Sequence, residues 1–248
     1  MKTKWDEKNY SKNFSFVHEY GEKIIELITV PKGGYVVDLG CGNGALSAKL
    51  AEKYRVTGID SSYEMLQAAK KSYPDIDFVQ ADACEFTLDN QADAIFSNAV
   101  FHWIENQEKL IENIYANLKT GGQLVFEFGG KGCADTVHKA LAQAFDKYGY
   151  EYRLDFNFRS IGEFAPLLEK HGFKVEYARL YDRPTPQNGE NGLENWINMF
   201  VTTAFNGVAL KDKENIIKDA VDICRSSLYK NGTWYVDYVR LLMKAVKL

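Results

Sequence analysis

Cysteine and proline are scarce in this chain, with four of one and five of the other among 248 residues. Cys41, Cys84, Cys133 and Cys224 lie far apart, with no Cys-x-x-Cys or Cys/His spacing. That excludes a disulfide scaffold and a structural zinc site, and reads as reduced, mostly buried thiols of a cytoplasmic protein. No apolar run approaches the roughly eighteen residues of a membrane span. The charged stretch from Met1 to Tyr10 has no apolar centre, so no signal peptide is expected. Arginine occurs only seven times, and 30 basic against 34 acidic side chains leave a net charge of -4, which argues against a nucleic-acid surface. Repeats and low-complexity tracts are absent. What remains is ordinary globular composition, 46% apolar and 26% charged, enough for a sizeable core. The 14% aromatic content is high, and so many rings need a core or a ligand pocket.

The periodicity alternates between helix and strand. Val17, Tyr20, Ile24, Leu27 and Ile28 share a helical face, ended by Pro31 and Gly33-Gly34. Short apolar strands are predicted over residues 35–39, 56–60, 76–80, 92–97 and 123–128. Helices are predicted between them, over 46–53, from a Ser61/Glu64 capping box, and on the Ile111/Ile114/Tyr115/Leu118 face. A helix over about 134–148 follows, then one opened by a Ser160/Glu163 capping box and closed by Gly172. Residues 173–181 alternate like a strand, 189–229 read as two helices, and 234–246 as a long final strand. Alternation at this spacing implies an α/β fold, a mostly parallel sheet with helices on both faces. A single domain over 1–248 is expected: an N-terminal arm and helix (1–30), a core (31–181), a helical cap (182–232) and the final strand (233–248).

Asp38-Leu-Gly-Cys-Gly-Asn-Gly44 follows the first strand and precedes a helix. Its glycines permit a tight turn and close approach of a ligand to the backbone. In an open α/β sheet this is the carboxyl edge, where nucleotide-like ligands bind. Gly40, Gly42 and Ala45 also satisfy the dinucleotide pattern, and Asp60 stands where an acid meets a ribose diol. NAD and S-adenosylmethionine both carry such a diol, so Asp60 does not separate them. Asp38 does: a carboxylate at the mouth of the loop repels a pyrophosphate and attracts the ammonium of a methionine moiety. No GxxxxGK[ST] is present, so P-loop chemistry is excluded.

Val37-Asp-Leu-Gly-Cys-Gly-Asn-Gly44, Gly58-Ile-Asp-Ser-Ser62 with Met65, Gln80-Ala-Asp-Ala83, Ser97-Asn-Ala-Val-Phe-His-Trp103 and Leu118-Lys-Thr-Gly-Gly-Gln-Leu124 occur in that order. Together they resemble the successive motifs of class I S-adenosylmethionine-dependent methyltransferases, over roughly residues 15–181 and the last strand. The resemblance implies a Rossmann-like, seven-stranded sheet of order 3-2-1-4-5-7-6 with the last strand antiparallel. It implies that Asp38, Gly40 and Gly42 face the methionine part of the cofactor. Asp60 would bind the ribose hydroxyls with Ser61 beside them, and Met65 would pack near the adenine. Asp82 would accept from the adenine amine with the Ala83 backbone alongside, and Asn98 would meet the amino-acid end. The Trp5-Asp6…Tyr10 arm, Asn98-Ala-Val-Phe-His-Trp103 and the Trp196 helix resemble the trans-aconitate and malonyl-carrier-protein methyltransferases, which methylate carboxylates. Where that group often has Gln, this chain has His102, which can hydrogen-bond a substrate oxygen, act as a base, or simply pack.

Methyl transfer from a sulfonium is an in-line displacement that needs alignment more than a catalytic triad. The expected acceptor is a small molecule, a carboxylate foremost. Trp5, Tyr10 and Phe14 read as a lid, with Tyr10 its best member. Arg153, Arg159 and Arg183 are candidates to grip an anion, while His18 and His138 read as structural. Nothing gathers around Asp93 in sequence, so no metal is expected. The Asn/Asp-Pro-Pro-Tyr pattern of nucleic-acid amino-methylation is replaced by Ser97-Asn98-Ala99-Val100. Two other readings stay open: an NAD(P)-dependent oxidoreductase, and a cofactor-binding protein without catalysis.

Overall fold

The computed structural model describes Gly21 and residues 23–248. The expected lid residues Trp5, Tyr10 and Phe14, and His18, Val17 and Tyr20, lie outside this range. The chain forms two compact units. The first holds the described residues through Gly130 together with Asn157–Leu180 and Arg240–Leu248; the second holds Lys131–Phe156 and Tyr181–Val239.

In chain order the elements are β1 (Tyr35–Leu39), α1 (Ala45–Ala51), β2 (Arg55–Asp60), α2 (Tyr63–Ser72), β3 (Asp77–Gln80) and β4 (Ala92–Asn98). A 3-10 turn (Phe101–Trp103) follows, then α3 (Gln107–Asn117), β5 (Leu118–Gly129), α4 (Asp135–Lys147), α5 (Ile161–Lys170) and β6 (Phe173–Gln187). The chain closes with α6 (Gly192–Phe200), α7 (Leu210–Leu228), β7 (Tyr229–Lys230) and β8 (Thr233–Lys247). The sheet order is β3-β2-β1-β4-β5-β8-β6, with the two-residue β7 paired to β8 as a hairpin. β1 through β5 pair in parallel, and β8 runs antiparallel to β5 from Gln123↔Val246 to Gly129↔Arg240. With β7 set aside, this is the expected seven-stranded order with its reversed last strand.

The first unit is layered by strand alternation. Val37, Ile95, Leu124 and Phe126 face α3 and α5, where Leu110, Ile111, Ile114, Phe164 and Leu168 bury against them. Their neighbours Val36, Ala94, Phe96 and Val125 point the other way, onto Leu46 and Leu50 of α1 and onto Ile24, Ile25 and Ile28. A strand covered on both faces must be apolar throughout, which is why these segments read as continuous runs. The first face carries an aromatic knot. Phe101, Phe126, Phe128 and Phe164 are almost fully buried, with ring centroids 4.9–6.3 Å apart. Lys247 ends β8 by donating to the carbonyls of Tyr115 (2.7 Å) and Leu118 (2.8 Å), the unpaired end of α3.

In the second unit, α4 packs with α7, and Lys147 pairs with Asp219 at 2.6 Å. His138 is buried among Tyr152, Phe156 and Trp196, its Nδ1 2.6 Å from the Tyr152 hydroxyl.

Three expectations need correction. Ser62, not Ser61, caps α2: its Oγ accepts the Met65 N–H at 3.2 Å, and its backbone is extended as an N-cap requires. β5 begins at Leu118 rather than after the Gly121-Gly122 turn. The ladder jumps from Ala92↔Leu118 to Ala94↔Gln123, so the glycines lie in a bulge inside the strand. β6 continues to Gln187 through Pro184 and Pro186. It lies at the end of the sheet order, and an edge strand tolerates residues that cannot donate to a ladder. The Ser160/Glu163 capping box is present as expected.

Phe164→Ala removes the ring on which the aromatic knot closes. We expect it to lower unfolding stability by about 3–5 kcal/mol, measurable by denaturant titration, with the α/β circular dichroism retained.

Candidate active site

The ends of β1, β2, β3 and β4 bring the described sequence-predicted residues to one edge of the first unit, with Glu127 of β5 beside Asn98. The glycine loop leaves β1 in a left-handed turn. Gly40 has φ 79°, and a Cβ there would fall 2.1 Å from a Val100 methyl, so only glycine fits. The N–H groups of Gly40 and Cys41 both point to the Ile59 carbonyl, which ties the loop to β2.

Asp60 completes that tie. Its Oδ2 accepts the Gly42 N–H at 2.9 Å and its Oδ1 accepts the Ser62 N–H at 2.8 Å. Burial pushes its carboxyl upward, and the N–H groups of Ser62, Gly42 and Ser61 pull the other way. Each carboxylate oxygen accepts more than one hydrogen bond, so the group can still meet a diol. Ser61 is exposed outside the helix, its carbonyl accepting from Gln80 Nε2 at 3.1 Å. Met65 is buried under Gly42.

Asp38 is buried at the end of β1, with Oδ2 accepting from the Ser47 hydroxyl at 2.6 Å. Burial raises its pKa to about 7; the Ser47 bond opposes this and the Asp60 charge adds to it. Asp82 is exposed and folds back on its own turn, Oδ1 accepting the Cys84 N–H at 2.9 Å. The Ala83 carbonyl accepts from Asn113 Nδ2 at 3.1 Å, and Asn113 also reaches the Phe86 carbonyl. Asn113, which pins the Asp82–Ala83 turn to α3, carries no signal in the sequence.

Asn98 is buried at the last position of β4, opposite Glu127 of β5. Ala99 then turns left-handed (φ 61°) with its N–H on the Glu127 carbonyl at 2.7 Å, opening the turn that holds His102. Gln107 Nε2 donates to the carbonyls of Phe101 and Ile104, and the Asn157 N–H to that of His102 at 2.9 Å, so the turn is braced from two sides. The His102 ring is buried against Phe128, Phe158 and Trp103. Its Nδ1 accepts the Gly129 N–H at 3.3 Å, so the neutral ring carries its proton on Nε2. Burial, then the Arg240 charge, hold the imidazole well below its ordinary range.

Glu127 and Arg240 form a buried pair, Nε to Oε1 at 3.0 Å. Each interrupts an apolar strand, which is the one sequence signal they give; 113 residues separate them. Of the candidate arginines, Arg153 forms an exposed pair with Glu151 at 2.9 Å, and Arg183 belongs to the second unit. Arg159 lines a cavity of about 770 Å³ with Leu167 and Lys170, on the α3–α5 side of the first unit. Asp93 pairs with Lys119 at 2.6 Å and accepts the Tyr35 N–H. Among the described residues one trio could offer metal ligands, Glu108, Glu112 and His171; Lys170 already sits 2.8 Å from Glu108.

A family described as a methyltransferase domain matches residues 37–126, the stretch from within β1 into β5. Over 98% of both chains, the protein is 30% identical to an uncharacterized methyltransferase of Schizosaccharomyces pombe. It is 32% identical to the trans-aconitate 2-methyltransferase of an Azoarcus species over half of each chain. Its fold superposes on a TehB-like S-adenosylmethionine-dependent methyltransferase of Corynebacterium glutamicum with a TM-score of 0.56 at 17% identity, covering 98% of each. A glycine loop locked to Asp60 at the carboxyl edge of this sheet is the arrangement of a Rossmann-like α/β methyltransferase fold. The chain belongs to the class I methyltransferases, the family whose methyl donor is S-adenosylmethionine; the oxidoreductase reading is set aside.

Asp38 gives a pH test. In the fold it keeps its proton to about pH 7, in an unfolded chain only to about pH 4. The folded state binds the extra proton between those values. This stabilisation is complete below about pH 4 and is lost as pH rises through about 7. The unfolding temperature of the ligand-free protein should therefore fall more steeply from acid to neutral pH than that of Asp38→Asn. Parallel curves would refute the assignment.

Proposed function

We propose that the protein methylates a carboxylate oxygen of a small-molecule acceptor. The observation that carries this reading is the charge balance around His102: a neutral imidazole among aromatic rings, beside an arginine whose charge is offset by Glu127. When bound, S-adenosylmethionine supplies a sulfonium methyl; the carboxylate oxygen forms the new O–C bond as the S–C bond breaks and its electron pair returns to sulfur. A cation and an anion become two neutral products. A water-poor site of low polarity favours such a change, because no solvation of charge is lost in the transition state. His102 fits it as an Nε2–H donor that orients one carboxylate oxygen. Its depressed basicity and its occupied Nδ1 make it a poor base, and a carboxylate needs none.

In the same reading Asp38 and the backbone of Gly40 and Gly42 hold the methionine part, and Asn98 the amino-acid end. Asp60 accepts from the ribose hydroxyls, with Ser61 beside them. Met65 packs near the adenine, Asp82 accepts from its amine, and Ala83 lies alongside. The donor set suits such a ligand: two acids, glycines that let the backbone come close, and no cation for a pyrophosphate among the residues of the loop. Tyr10, outside the described residues, remains the proposed lid member. Likeness to trans-aconitate 2-methyltransferase supports a carboxylate acceptor, over half of the chain.

Release of S-adenosylhomocysteine, measured across panels of small carboxylates, phenols and amines, tests the acceptor class. Turnover with carboxylates is expected; turnover confined to amines would overturn it. A second outcome concerns Asp38. A bound cation favours its ionised form, so S-adenosylmethionine should bind with proton release near pH 6.5 and more weakly as pH falls. Calorimetry in buffers of different ionisation enthalpy reads this directly, and Asp38→Asn should abolish it. Asp60→Ala should weaken binding roughly 10–100-fold, the loss of hydrogen bonds to a charged group.

A further inference from the structure

Left-handed backbone is mostly glycine's territory in this chain. Among the described residues eleven glycines have positive φ, and three other residues do: Ala99, Ala134 and Asn231. Asn231 turns the β7–β8 hairpin, where asparagine is a favoured residue. Ala134 opens α4 with its N–H on the Asp237 carbonyl. Ala99 (φ 61°) stands at the ligand edge, directly after Asn98. A residue with a Cβ in this conformation costs stability that glycine would keep, and such strain persists only where the surroundings fix it. Here they do. The Glu127 carbonyl holds the Ala99 N–H at 2.7 Å. Val100 lies close over Gly40, where no Cβ fits. Phe101 is buried in the aromatic knot, and Gln107 holds the carbonyls of Phe101 and Ile104.

The strand register shows what the turn accomplishes. β4 and β5 pair in parallel up to Asn98↔Glu127. In such a ladder alternate residues aim both backbone polar groups at the same neighbour, so Gly129 faces β4 as Glu127 does. Were β4 to run on extended, its next carbonyl, that of Ala99, would take the Gly129 N–H. The left-handed turn ends the strand before that bond forms, and the Gly129 N–H donates to His102 Nδ1 at 3.3 Å. A ladder carbonyl and an imidazole nitrogen thus compete for one donor, and φ at Ala99 decides between them.

We propose that Ala99 is a positioning residue for His102: its left-handed backbone withdraws the Ala99 carbonyl from the β4–β5 ladder and leaves the Gly129 N–H to fix the imidazole with its proton on Nε2. The consequence for turnover rests on the donor role proposed above for His102; the placement of the ring does not. Alanine at a strand end gives no sign of left-handed backbone, so the sequence alone hides this residue.

¹⁵N NMR of the full-length protein tests this without any assay of turnover. The wild type should show a scalar coupling across the hydrogen bond from the Gly129 N–H to His102 Nδ1, together with the Nε2–H tautomer. Absence of either overturns the proposal with no variant needed. Ala99→Gly accepts the turn more readily, so it should keep both signatures and raise the unfolding temperature by about 2–4 °C. An unfolding temperature that stays level or falls would overturn the strained turn. Ala99→Val favours the extended backbone, because a β-branched residue resists positive φ. In this variant the coupling should vanish, the tautomer should no longer be fixed, and kcat should fall about 10–100-fold. A folded Ala99→Val that keeps the coupling also overturns the proposal. If it loses the coupling and keeps the wild-type kcat, Ala99 stands as the residue that places His102 and the donor reading fails instead. Should Ala99→Val not fold, the wild-type coupling and the Ala99→Gly unfolding temperature decide alone.

Discussion

A sheet covered on both faces leaves its strands no room for polar groups except at their ends. In this protein the central strands β1, β4 and β5 alternate apolar side chains onto two helical layers. The polar residues in them therefore fall toward the strand ends, or are neutralised where they lie. Asp38, Ser97, Asn98 and Glu127 all fall in the last positions of their strands, and all are buried. Core packing and the ligand edge are two consequences of one geometric rule.

Each acid at that edge is handled differently. Asp60 is held by backbone N–H groups from two loops and so doubles as the rivet between them. Among the described residues Asp38 has one hydroxyl donor, Ser47, and it keeps a proton into the neutral range. Glu127 is matched by a guanidinium. The gradation suits the ligand: the acid proposed to meet a neutral diol is already satisfied by dipoles, whereas the acid proposed to meet a cation is left wanting one. Preorganisation of this kind places the electrostatic cost in folding, where the large apolar core offsets it.

Much of this was legible in the residues. Strand and helix alternation, the glycine loop, Asp60 and the order of motifs all rest on local patterns, and local patterns survive folding. The discrepancies arise where local rules are degenerate or where the decisive partner is remote. Ser61 and Ser62 are chemically equivalent as caps, and only the backbone angles of the folded turn choose between them. Pro184 and Pro186 signal a break unless the strand lies at an edge, and edge position is a property of the whole sheet. Gly121-Gly122 looks like a turn because a bulge and a turn need the same residue. Glu127 and Arg240 each stand as an odd charge in an apolar run, but nothing local joins two residues so far apart. Asn113 is one polar residue among many on a helix until the loop it pins is known.

The placement of β8 also bears on how the molecule is made. It lies between β5 and β6, yet it follows both in the chain. A ribosome adding roughly 5–20 residues per second would leave the open edge of β5 waiting on the order of ten seconds for its neighbour. Through that interval β5 offers an unsatisfied ladder flanked by Phe126 and Phe128. The nascent chain is thus most exposed to mispairing at the strand that carries Glu127, and insertion of Arg240 closes the gap and places the matching charge in one event.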